Sequence, residues 1–104
     1  GVNLGLPDVA ELADAALGLM RVETSVDPAD IEVDPRWIGD DYAVPTDAGT
    51  AAIDWAARRG GWLMDPTYSG KGLSGLLGLV DEGRWNGDDQ VVFIHSGGWP
   101  ALFA

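Results

Sequence analysis

The chain has no cysteine, one histidine and a single lysine among its six basic residues. Without cysteine it can form neither disulfides nor thiolate metal sites, and one histidine cannot build a multi-histidine metal centre. Seventeen acidic residues against six basic ones give a formal net charge of −11. Such a surface repels phosphate backbones and anionic membranes, so neither nucleic acid nor a membrane is an expected partner. No window offers the roughly twenty uninterrupted apolar residues that a bilayer span needs. The N-terminus also lacks the charged and apolar regions of a signal peptide, so a cytoplasmic location is expected. What is present is 104 residues, 46% of them hydrophobic, which suffices for one modest core and hence one domain. The chain opens on Gly1-Val2-Asn3 without Met and closes on an apolar Pro100 to Ala104. Both ends are expected to be cuts through a longer protein.

Along the chain, residues 6–20 place Val9, Leu12, Ala16 and Met20 on one helical face, with Asp8 and Glu11 where a helix dipole favours anions. Ile31 and Val33 alternate between Asp-Pro pairs, which reads as a short strand followed by a loop rich in aromatic and acidic residues. Thr46 can cap a second helix that Gly60 or Gly61 ends, with Arg58 and Arg59 in its last turn. Residues 62–65 are a short extended segment. From Gly70, Leu73, Leu76, Leu77 and Val80 recur at helical spacing, and Gly83 is the stop. The glycines in that helix cost stability and imply close packing against something. Residues 88–95 read as a continuous apolar strand of the kind buried on both faces of a parallel sheet, running into Ser96-Gly97-Gly98. Helix, strand, loop, helix, extended segment, helix and strand together predict an α/β fold.

Several motifs fail on inspection. A phosphate loop around Gly70-Lys71 would need glycine at Asp65 and a hydroxyl at Gly72. A nucleophile elbow at Ser96 would need glycine at Ile94, and the adjacent His95 points to the opposite face. Asp40 and Asp41 read as solvated surface charge, and Trp55 and Trp85 as packing residues. Tyr42, Tyr68, Ser69, Ser96, Gly97 and Gly98 remain as polar or bare-backbone positions at strand and loop ends, where open α/β sheets bind ligands. Composition alone leaves a cofactor pocket and ordinary turns equally open.

Three motifs in order, "DDYAVPT" at 40–46, "DPTYSGKGLSGL" at 65–76 and "VVFIHSGGWPALFA" at 91–104, resemble the C-terminal part of the D-cysteine desulfhydrase and 1-aminocyclopropane-1-carboxylate deaminase family. These are pyridoxal 5'-phosphate enzymes of the tryptophan synthase β-like fold, type II. The resemblance covers essentially the whole chain. It implies an open, mostly parallel sheet flanked by helices, with residues 1–104 as the C-terminal piece of the cofactor-binding α/β domain. In the family the lysine that forms the internal aldimine and the phosphate-binding loop both lie upstream of the matched region. Lys71 follows the Tyr-x-Gly motif and is not that lysine; a helix-end charge or a contact to nearby carbonyls is its expected role. The piece alone is therefore expected to be inactive.

Within the family, "YEGK" with an apolar residue before "GG" resembles the deaminases, and "Y[ST]GK" with "H[ST]GG" resembles the desulfhydrases. Ser69 and Ser96 give this chain the hydroxyl pair. A carboxylate beside the pyridine nitrogen would keep it protonated, whereas a hydroxyl does not impose that charge. The resemblance thus implies β-elimination on a D-amino acid, D-cysteine giving pyruvate, sulfide and ammonia. It makes Tyr68 and Tyr42 the catalytic residues and Ser96, Ser69, Gly97 and Gly98 the cofactor-binding ones. It further implies a small amino-acid substrate and a homodimer for the full-length enzyme. Trp62 and Trp99 are bulkier than the family pattern leads one to expect and bear on the substrate. A deaminase, an L-cysteate sulfo-lyase and a free-standing, non-catalytic binding module are the alternatives.

Overall fold

The computed structural model describes residues 8–103. Those residues fall into two units, one through Pro35 and one from Arg36 onward. The first holds helix α1, Val9–Leu19, whose first turn is capped by the Asp8 carboxylate accepting from the Ala10 amide at 2.7 Å. Asp14 on the helix accepts from the Val26 amide at 2.7 Å, which folds the following segment back along it. Asp27 then caps a single 3-10 turn, Pro28–Asp30. The helix forms as expected, yet the face bearing Val9, Leu12 and Met20 is exposed and only Ala10 is buried.

The second unit is built on α2, Asp47–Gly60, packed on α3, Ser69–Asp81. Thr46 caps α2 by accepting from the Gly49 amide at 3.0 Å, and Gly61 ends it with a φ of 66° that suits glycine. Both ends match the sequence reading. Ala52, Ala56, Met64 and Leu73 form the buried core, flanked by Ile53, Trp55, Leu76, Leu77 and Phe93. The small alanines let the two helices approach closely.

The glycines of α3 have the partner that their cost implied. A Cβ on Gly75 would lie 3.1 Å from the Trp37 ring, and one on Gly78 would overlap that ring. Trp37 ends a 3-10 turn, Pro35–Trp37, and its ring lies along the helix face that Gly75 and Gly78 leave bare. Arg36 beside it is anchored to Glu82 past the far end of α3, at 2.7 and 3.2 Å. Gly83, with φ 75°, ends the helix where expected.

The expected open parallel sheet is overturned: the described residues form helices and 3-10 turns and contain no strand. A strand exists only through ladder hydrogen bonds to a neighbour, and among the described residues the extended segments form no such ladder. Ile31 has extended angles, φ −96° and ψ 114°, without a ladder. Residues 91–94 are not buried on both faces either. Phe93 turns into the core while Val92 and Ile94 are 84% and 81% exposed. A last 3-10 stretch, Trp99–Phe103, ends the described chain.

Candidate functional site

Asp65 organises the junction between Met64 and α3. It is fully buried, and both carboxylate oxygens are saturated. Oδ1 accepts from the Ser69 amide at 2.8 Å and from its hydroxyl at 2.6 Å; Oδ2 accepts from the amides of Thr67 and Tyr68 at 2.8 Å each. Pro66 has no N–H, so the next three donors of the chain all converge on this one side chain. Tyr68, at the N-cap position of α3, makes no side-chain cap bond, and Asp65 does its work from three residues upstream. Burial pushes the Asp65 carboxyl up, but the Ser69 hydroxyl and the three amides outweigh it and hold the group below its ordinary value. It is a carboxylate at neutral pH.

Ser69 is spent in this arrangement. Its hydroxyl donates to Asp65 and accepts from the Asp65 amide at 2.8 Å, leaving one lone pair and no proton for anything else. Gly98 lies against the same carboxylate, so close that a Cβ would overlap it, and has φ 101°. Gly97 has φ 128° and open space around it. The 96–98 turn and the 65–69 turn therefore pack as one piece through Asp65. Ser96 sits exposed on that turn, and among the described residues no hydrogen bond engages its hydroxyl.

His95 fixes the approach to the turn. Its Nε2 lies 2.8 Å from the Leu63 carbonyl, which can only accept, and this short contact rather than the 3.4 Å one from the Trp99 indole N–H sets the tautomer with the proton on Nε2. Nδ1 is then the acceptor for the Gly97 amide at 3.3 Å. The Trp99 indole meets the imidazole edge-on, with ring centroids 6.3 Å apart. Trp62 packs on Trp55 and covers Gly60.

Tyr42 and Tyr68 meet through their hydroxyls at 2.5 Å, with their rings edge to face at 5.8 Å. Both rings are more than half exposed. The hydrogen bond with Tyr42 chiefly raises the Tyr68 phenol above its ordinary value, so Tyr68 is neutral over the physiological range. One hydroxyl donates within the pair, and the O–H of the other is left to point outward. Lys71 holds the loop that carries Tyr42: its Nζ donates to the carbonyls of Ile38 at 2.6 Å and Asp41 at 3.2 Å. The expected contact to carbonyls is what the chain's only lysine makes.

The structure thus joins Tyr42 to Tyr68, and Ser69 to Gly98 through Asp65. Asp65 is the residue that the sequence reading missed as part of the site. A carboxylate followed by proline, three residues ahead of a helix N-cap, was the available signal. The apolar cavity of about 420 Å³ between Trp55, Trp62, Leu76 and Phe93 includes none of the six expected site residues. Among the described residues no cluster of His, Asp and Glu could hold a metal ion, and no helix is long and apolar enough to cross a membrane.

No family model matches the chain. Over 98 residues it is 39% identical to the D-cysteine desulfhydrase of Salmonella typhi, and equally to those of Salmonella newport and Salmonella dublin. The match takes in 94% of this chain, and the chain spans about 29% of the length of these relatives. The kinship read from three motifs therefore holds over nearly the whole sequence.

Proposed function

Starting from this kinship with the D-cysteine desulfhydrases, we propose that the chain is the C-terminal part of a pyridoxal-phosphate lyase. The reaction is β-elimination on a D-amino acid: D-cysteine is cleaved to sulfide, pyruvate and ammonia. The observation that carries this reading is the 39% identity over 98 residues. The residues present fit one edge of the cofactor. Ser96 offers an unengaged hydroxyl on an exposed turn, followed by two glycines whose positive φ values leave a bare backbone. When bound, pyridoxal phosphate supplies an electron sink for negative charge at the substrate Cα. Ser96 would donate to the ring nitrogen without imposing a charge there, which suits a leaving group as ready as a thiolate.

Ser69 contributes at one remove, by locking the carboxylate on which Gly98 rests. The chain's one lysine is 7% exposed and committed to carbonyls, so it is not the residue that holds the cofactor. Tyr42 and Tyr68 would act on the substrate. One hydroxyl is used within the pair, and the outward O–H of the other can bind the substrate carboxylate or hand a proton to departing sulfur.

The test is a product assay on the longer polypeptide supplied in turn with D-cysteine, L-cysteate and 1-aminocyclopropane-1-carboxylate. Sulfide and pyruvate from D-cysteine are expected. Sulfite from L-cysteate or 2-oxobutyrate from the cyclopropane would replace the substrate, and no turnover of any of them would leave the binding-module alternative.

A further inference from the structure

Lys71 sits where helix electrostatics disfavour it. It lies in the first turn of α3, close to the N-terminus of α2, and both helix ends carry partial positive charge. Its side chain is nevertheless buried, and a buried ammonium is costly unless hydrogen-bonded. The stem runs along α2 at Gly49, where a Cβ would stand 3.6 Å from the Lys71 Cγ. The head emerges beneath Gly39, where a Cβ would stand 3.6 Å from Nζ. From there it donates to two carbonyls of the 38–41 loop.

That loop needs an external hold. Gly39 has φ 79° and Ala43 has φ 59°, the latter a left-handed conformation that a residue with a Cβ adopts only under constraint. Its own backbone supplies little, because the Val44 amide reaches the Asp41 carbonyl only at 3.4 Å. Tyr42 lies between Asp41 and Ala43. We propose that Lys71 is a positioning residue whose ammonium clamps the 38–41 loop onto α3 and so keeps the Tyr42 hydroxyl on that of Tyr68. This rests on the reading that the tyrosine pair acts on substrate. Lys71 itself touches neither hydroxyl; it acts through the backbone on either side of Gly39 and Asp40.

In the longer polypeptide each of Lys71, Tyr42 and Tyr68 is read by the signal that its own substitution removes. With 15N-lysine the Nζ signal that Lys71→Met removes should show ammonium protons protected from exchange, and the ultraviolet titration of tyrosinate should contain one late-ionising phenol, Tyr68, that Tyr42→Phe brings to ordinary behaviour. Lys71→Met should likewise bring the Tyr68 phenol to ordinary behaviour, and Lys71→Arg should restore its late ionisation. If Lys71→Met loses its helical circular dichroism, Lys71→Gln, too short to reach both carbonyls, takes its place. An Nζ signal with the exchange of a free lysine overturns the clamp, as does an unchanged tyrosinate titration in a folded truncated variant. Neither readout needs cofactor or substrate. A longer polypeptide that keeps the late phenol yet turns over none of the three substrates therefore defeats the lyase reading and leaves the clamp, and turnover without the late phenol does the reverse.

Discussion

Substituting Asp65 by Asn tests whether one buried carboxylate holds the junction together. The change keeps shape and volume but turns two acceptor positions into an NH2 group. If the amide oxygen faces Ser69, the NH2 confronts the amides of Thr67 and Tyr68, which now donate at 2.8 Å. Those two amides are only partly buried and can recruit water, so each loses about 1–1.5 kcal/mol, toward the low end for an unsatisfied donor. The expected cost is about 2–3 kcal/mol, a large part of the total stability of a chain this size. Urea unfolding followed by tryptophan fluorescence at neutral pH measures it. The pH dependence supplies a second check. Because the folded Asp65 value is depressed, its stabilisation is complete above the ordinary value of 3.8 and disappears as pH falls through the lower folded value. The difference between wild type and Asp65→Asn should therefore shrink on acidification. A neutral-pH difference under about 0.5 kcal/mol, the scatter of ordinary surface changes, would refute the role given to Asp65.

Other substitutions separate space from conformation. Gly78→Ala drives a methyl into the Trp37 ring and should lower stability by more than about 1 kcal/mol, whereas Gly72→Ala meets only Phe93 at 3.8 Å and should gain about 0.5–1 kcal/mol of helix propensity in the same unfolding assay. Gly98→Ala adds overlap with Asp65 to a φ of 101° and should cost more than Gly97→Ala, which has open space and only an unfavourable φ. Paired melts of the two variants decide the order. In the longer polypeptide, Ser96→Ala should weaken pyridoxal-phosphate affinity by roughly five- to tenfold, the loss of about one hydrogen bond, as read by cofactor titration; unchanged affinity would remove Ser96 from the ring edge.

Features set by local chemistry were legible in the sequence. Thr46 announces α2 because a hydroxyl ahead of a helix satisfies an amide, and Gly61 and Gly83 announce helix ends because left-handed backbone favours glycine. The carbonyl contact expected for Lys71 is the one it makes. The strand at residues 88–95 failed for a non-local reason. An apolar run reports a tendency to be buried but not the neighbour that would pair with it, and here only Phe93 finds the core. The glycines of α3 implied a close neighbour, but nothing in their spacing pointed to Trp37, about forty residues upstream. Asp65 was hidden for a related reason. Its value lies in four converging donors, and convergence belongs to the folded turn.

The most direct measurement is the intact mass of the polypeptide isolated from its native source after borohydride treatment, which fixes a lysine-bound pyridoxal phosphate as a stable phosphopyridoxyl-lysine. The expected result is a polypeptide roughly three times as long as this chain, in line with the 29% of its relatives that the chain spans, carrying one such adduct outside the present sequence. A native polypeptide of this length without the adduct would contradict the proposed lyase.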